Sequence, residues 1–98
     1  MFGMIIRVHS DARLEFLEVS DFYRHKSNRL GVEFIREVER ILLLIKDYPE
    51  IGSSWSHETR RLPLRRFPFN VIYRLNDDSI LIVAIAHRRR KDYWSWRV

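Results

Sequence analysis

Hydrophobic and polar positions alternate along this chain with two different periods, and the change of period divides it into a helical first half and a stranded second half. Met4 to Val8 forms a short apolar strand. Ser10 and Asp11 follow, and their side-chain oxygens suit the cap of a helix, where first-turn amides lack partners. Ala12, Phe16, Val19 and Tyr23 then recur at steps of four, three and four, the spacing that gathers side chains on one helical face. The polar run Arg24–Asn28 reads as a turn. A second helix is expected from Arg29 to Tyr48, with its stripe on Leu30, Phe34, Val38, Ile41 and Ile45 and a wider apolar end at Leu42 and Leu44. Pro49 ends it, since a residue before proline is pushed out of helical geometry.

Beyond a loop at Glu50–Glu58 the period shortens to two. Thr59–Leu64 is a short strand. Phe67, Phe69, Val71, Tyr73 and Leu75 alternate with Pro68, Asn70, Ile72 and Arg74. Asn76–Ser79 is a turn by composition. Ile80–Ala86 is apolar without interruption, as in a strand covered on both faces. The expected order is β-α-α-β-β-β: an α+β fold with a helical hairpin packed on a small, twisted, mainly antiparallel sheet. The chain has 98 residues, 46% of them apolar, enough for one domain and one core, expected over residues 4–98. Met4 fits a native start, with the first three residues an extension.

Charge changes this picture more than composition does. Residues 1–56 carry 8 basic and 9 acidic side chains, net −1, whereas residues 57–98 carry 10 basic and 4 acidic, net +6. A neutral half joined to a cationic one points to an anionic partner, either nucleic acid or an acidic protein. There is no cysteine, hence no disulfide, thiolate nucleophile or cysteine-bound zinc. The N-terminus lacks the charged and apolar regions of a signal peptide and no run is long enough to span a bilayer, so a cytoplasmic protein is expected.

Two segments concentrate the cations. The first is Arg60-Arg61 with Arg65-Arg66, whose planar guanidinium groups suit phosphate or carboxylate. Strand geometry sends neighbours to opposite faces, and the plainer alternative is a charged, solvated sheet edge. The second is His87 to Arg97, where Arg88, Arg89, Arg90 and Lys91 precede Tyr93, Trp94 and Trp96. Such a run can grip phosphates and stack bases, with His87 and Tyr93 as possible proton-transfer groups. Alternatively Tyr93 and Trp94 pack back on the sheet, and Trp96 covers an edge. Glu33, Glu37 and Glu39 read as the solvated face of the second helix. The four histidines have no metal-ligand spacing, and three glycines provide no phosphate-cradling loop. No serine stands on a nucleophile elbow. Neither metal nor cofactor is expected.

Taken in order, the alanine-led first helix, Val32-Glu33-Phe34, Tyr48-Pro49-Glu50-Ile51-Gly52, Arg60-Arg61, the strand Arg66-Phe67-Pro68-Phe69-Asn70-Val71-Ile72-Tyr73 and the ending Ala84-Ile85-Ala86-His87-Arg88-Arg89-Arg90 with Tyr93-Trp94 form a pattern. It resembles the RelE/ParE toxin superfamily from Met4 onward, and its ending resembles the ParE branch. The resemblance implies a plasmid-stabilisation type of toxin in a type II toxin–antitoxin pair, inhibiting DNA gyrase without bond chemistry. Arg60, Arg61, Arg65, Arg66, Arg88, Arg89, Arg90, Tyr93 and Trp94 would then contact the target. The RelE branch implies instead ribosome-dependent cleavage of mRNA, for which Arg61, His87, Arg88 and Tyr93 would be catalytic. Ser53, Ser54, Ser56 and His57 stand where that branch carries lysines or an acid, so the ribonuclease set is incomplete. A third possibility is an interaction module of the same fold without toxicity. In each case the implied partner is an antitoxin lying across the helical hairpin and sheet edge, with Leu14, Leu17 and Leu43 as docking residues, unless those leucines belong to the core.

Overall fold

A computed structural model describes residues 4–98, so the proposed extension ahead of Met4 lies outside the described residues. The α+β architecture is as expected, with one strand more. β1 (Ile5–Val8) leads into α1 (Ser10–Lys26) and α2 (Asn28–Asp47). β2 (Ser53–Trp55), β3 (Thr59–Pro63), β4 (Phe69–Leu75) and β5 (Ser79–His87) follow. The sheet order is β1-β5-β4-β3-β2, with β1 parallel to β5 and every other pair antiparallel. β2 comes from the segment read as loop, because three exposed residues, Ser-Ser-Trp, carry no apolar alternation.

The helix ends differ from the sequence reading for local reasons. The cap of α1 is His9, whose Nδ1 accepts the amide of Asp11 at 3.1 Å. The polar run after Tyr23 stays helical as far as Lys26 and leaves Ser27 alone as the connector. Ser27 serves both helices: its amide donates to the Tyr23 carbonyl at 3.0 Å and its Oγ accepts from Leu30 N at 3.0 Å. Such a short link requires close helices, and Gly31 permits it. A Cβ at Gly31 would lie 3.0 Å from Arg24 Cβ.

The core lies between the hairpin and the sheet. Ala12 from α1 and Phe34, Val38, Ile41 and Ile45 from α2 pack on Val71, Tyr73, Ile80, Ile82 and Ile85. Tyr73 is fully buried yet keeps its hydroxyl paired, donating to the Pro49 carbonyl at 2.7 Å and accepting from Gly52 N at 2.8 Å. That pairing fastens the chain leaving α2. Gly52 is fitted to it, since a Cβ there would meet the Tyr73 ring at 2.8 Å.

A second core occupies the opposite face. The register of β4 on β5 shifts between Ile72 and Tyr73, which pair with Ala84 and Ile82 and leave Val83 as the extra residue of a bulge. The bulge resets the alternation, so Ile80, Ile82 and Ile85 face the helices while Ala84 and Ala86 face away with Ile72 and Val83. The small Ala84 and Ala86 leave room for an indole. The C-terminal segment crosses this face and places Trp94 there, 1% exposed. Trp94, expected from sequence among the target contacts, is thus a core residue and has no surface to offer a partner. Trp96, in the terminal 3₁₀ turn Ser95–Arg97, is 65% exposed and meets His9 edge to face.

The two tryptophans should therefore respond differently to truncation. Trp94→Ala should cost about 3–5 kcal/mol in a denaturant titration, the usual cost of emptying a large aromatic site. Trp96→Ala should cost less than about 1 kcal/mol, as for an exposed side chain.

Candidate target-binding surface and helical groove

Six of the predicted cations come together at one end of the sheet. The loop joining β3 to β4 carries Arg65 and Arg66, and the turn after β5 carries Arg88, Arg89, Arg90 and Lys91. The two are joined directly, since Arg88 N donates to the Pro68 carbonyl at 2.9 Å. Arg65, Arg88, Arg89 and Lys91 are exposed with no hydrogen bond or ion pair from their guanidinium or ammonium groups among the described residues. Arg90 is exposed too, and its guanidinium lies 3.9 Å from the centroid of the Tyr93 ring. Arg66 has a positive φ of 67° and pairs with Glu33 at 2.8 Å.

The Arg60–Arg61 pair is not part of this rim, and the two side chains take opposite faces as strand geometry requires. Arg60 stands in register with Tyr73 and donates to the carbonyls of Gly52 at 2.7 Å and Glu50 at 3.1 Å. Its charge is spent on the loop after α2. Arg61, in register with Ile72, stacks its guanidinium 3.7 Å from the Trp55 ring on the face that holds Trp94. Trp55 is half exposed, and no spacing signal marked it because β2 itself was silent in the sequence.

Both candidate proton-transfer groups are engaged. His87 is half-buried against Phe69, ring centroids 5.3 Å apart, and its Nδ1 accepts the amide of Arg89 at 3.2 Å. Tyr93 donates its hydroxyl to Glu15 Oε2 at 2.7 Å. Burial, and then that bond to a carboxylate, pushes the phenol well above its ordinary pKa. The β2–β3 turn is clasped from the same segment: Ser56 Oγ donates to Asp92, and His57 Nε2 lies 3.9 Å from it. His57 and Glu58 hold positive φ angles of 58° and 59°.

The helix carboxylates correct the expectation of a solvated face. Glu37 accepts the backbone amide of Arg65 at 2.7 Å while paired with Arg40 at 2.7 Å. Glu33 bridges Arg29 and Arg66. Of the three, Glu39 alone is exposed. The missing signal is intelligible, since the partners stand 28 and 33 residues away.

On the helical side, Leu14, Leu17 and Leu43 are 55%, 49% and 63% exposed, so they are surface and not core. Leu17 also edges an apolar groove of about 250 Å³ between the helices, floored by Phe16, Val38, Ile82 and Ile85, with Arg13 and Glu39 at its rim. Leu14 and Leu43 lie outside that groove. No helix among the described residues is long and apolar enough to cross a membrane, and these residues hold no metal-ligating cluster.

The glutamate clamps give a pH dependence. The hydrogen bond from Arg40 holds the Glu37 carboxyl below its ordinary value, and that from Arg29 does the same for Glu33. A carboxyl lowered in the folded state stabilises it above the unfolded pKa, near 4.5, and loses that contribution as pH falls through the folded value. Glu37→Gln should therefore flatten the decline of stability on acidification below about pH 4.5. Denaturant midpoints measured from pH 6 to pH 3 would show the reduced slope.

Comparison with known proteins agrees with this geometry. A chain of the chromosomal ParDE TA system from P. aeruginosa has the same fold, with a TM-score of 0.73 at 18% identity over 86% of this chain and 95% of that one. Among curated proteins, none matches the sequence. The family described as ParE toxin of type II toxin-antitoxin system, parDE, matches residues 6–92, nearly the whole chain. The protein therefore belongs to the ParE toxin family of type II toxin–antitoxin systems.

Proposed function

We propose that this protein is a toxin that inhibits DNA gyrase by occupying it, and that a cognate antitoxin neutralises it by filling the groove between α1 and α2. The observation that carries the first half is the rim of Arg65, Arg88, Arg89 and Lys91. It offers exposed cations whose charged groups pair with no acid among the described residues. Cleavage of RNA by 2′-hydroxyl attack needs a group that takes a proton and another that gives one. His87 packs on Phe69 and the Tyr93 hydroxyl is committed to Glu15, so neither is poised for that exchange. Binding needs only exposed charge in a fixed arrangement, and two linked loops supply it. Membership of the ParE family supports the same target.

The antitoxin half rests on apolar exposure. The groove walls and the neighbouring Leu14 and Leu17 form an apolar strip on α1, with one basic and one acidic residue at the rim. Such a groove suits an amphipathic segment that buries a few large side chains between helices.

Purified toxin added to a gyrase supercoiling assay should block supercoiling at micromolar concentration while mRNA in expressing cells stays intact. Replacing Arg88 and Arg89 together by alanine should raise the half-inhibitory concentration by roughly ten- to a hundredfold, with a weaker salt dependence. Untouched supercoiling would exclude the gyrase target; cleaved transcripts would point to the endonuclease alternative, and growth without arrest to an interaction module. For the groove, Leu17→Asp should weaken antitoxin binding by more than about tenfold in calorimetry and leave gyrase inhibition unchanged.

A further inference from the structure

Glu15 collects contacts from three distant parts of the chain at one carboxylate. Its Oε1 accepts from the backbone amide of Ile85 at 3.0 Å and from Arg97 Nη1 at 3.1 Å. Its Oε2 accepts the Tyr93 hydroxyl at 2.7 Å and pairs with Arg97 Nη2 at 3.0 Å. Both charged side chains are largely buried, 16% and 7% exposed. Their position explains the need. β1 stops opposite Ile82, so the backbone groups of Val83 and Ile85 on that edge of β5 have no strand to pair with. Glu15 takes the Ile85 amide, and Arg97 donates to the Val83 carbonyl at 3.1 Å. The pair does for the end of β5 what a longer β1 would have done.

We infer that Glu15 is a positioning residue for the basic turn Arg88–Lys91. The inference rests on the target-binding reading of that turn given above. The turn has two ends. One is fixed where β5 stops, with Arg88 N on the Pro68 carbonyl and Arg90 N on that of His87. The other is fixed only by what the segment does after Lys91. Trp94 anchors it by apolar packing, which sets depth without a directional bond, and Asp92 accepts from Ser56. The bond from Tyr93 to Glu15 is directional and sets the ring's orientation, and Arg90 lies against that ring. Arg97 closes the segment on the same carboxylate. Charge-assisted hydrogen bonds of this kind are stronger and more directional than neutral ones. Glu15 is not itself a lining residue of the groove and meets the lining only at the backbone amide of Ile85, so Glu15→Gln, which keeps an acceptor there, leaves the apolar walls in place for antitoxin docking.

Amide exchange of the full-length toxin tests this without reference to any target. Glu15→Gln should speed exchange over residues 88–93 by roughly tenfold while α2 and β4 keep their protection, because Trp94 still packs. Tyr93→Phe, which removes one neutral donor and no charge, should show the same pattern more weakly. In the gyrase assay Glu15→Gln should raise the half-inhibitory concentration by roughly tenfold, with antitoxin affinity within about twofold of wild type. Adding Arg97→Gln to Glu15→Gln should bring little further loss, as expected for two residues acting as one unit. Unchanged exchange at residues 88–93 in both single variants overturns the inference. So does a parallel loss of antitoxin affinity and inhibition with faster exchange everywhere, which would assign Glu15 a global role. If wild-type toxin leaves gyrase untouched, the target reading fails and the exchange result alone decides the positioning.

Discussion

A sheet of five strands presents two apolar faces, and one helical hairpin can cover only one of them. The remaining face sets the terms for everything after β5. Ile72, Val83, Ala84 and Ala86 must be sealed, and the chain seals them with its own C-terminal segment, driving Trp94 into the space left by two alanines. Burial of an indole releases more apolar surface from water than any other single side chain can. That packing sets the depth of the segment, and the Tyr93 and Arg97 contacts on Glu15 complete its path, so together they govern where the four cations before it emerge. The basic turn is thus a by-product of closing a core, which is why it can be rigid without secondary structure of its own.

The helical hairpin contributes a second kind of order. Its apolar side builds the main core, while carboxylates on its flanks reach the two basic loops from opposite directions. Glu33 and Glu37 of α2 hold the loop carrying Arg65 and Arg66, and Glu15 of α1 holds the segment after Lys91. Each acid takes up a backbone amide or a structural cation and leaves neighbouring arginines unpaired. The near-neutral first half of the sequence is therefore not indifferent to the cationic second half. Its negative charges select which positive charges remain free for a partner.

Much of the fold was legible from periodicity. The stripe Phe34, Val38, Ile41, Ile45 and the apolar run Ile80–Ala86 are core as expected, since a helical face and a doubly covered strand leave strong patterns. What escaped was governed by long-range pairing. β2 has no apolar signal and exists because β3 offers it an edge. The cap at His9 uses a ring nitrogen in a place where hydroxyls and carboxylates are commoner. Of the candidate site, the exposed rim was readable as a run of charge, but the sequence left open whether Trp94 packs on the sheet or meets a partner, and it did not mark Arg60 as engaged. Their partners, Ala84 and the carbonyl of Gly52, announce nothing locally. The roles of Glu15 and Glu37 were equally silent, for a carboxylate beside a helical stripe looks solvated until the fold delivers its donors.

The parallel pairing of β1 with β5 joins the start of the chain to its end. Ile5 stands in register with Ser79, and the Glu15–Arg97 pair spans 82 residues. Contacts of that separation must wait for large loops to close, which slows folding relative to a protein built from neighbours. β1 cannot pair before Ser79–Ile82 are available, and the Glu15 carboxylate on α1 waits for Tyr93 and Arg97. A nascent or shortened chain would hold an αα-hairpin with its apolar side uncovered and no ordered basic turn. The cover of the second sheet face and the basic turn are therefore ordered together, late in the order of the chain.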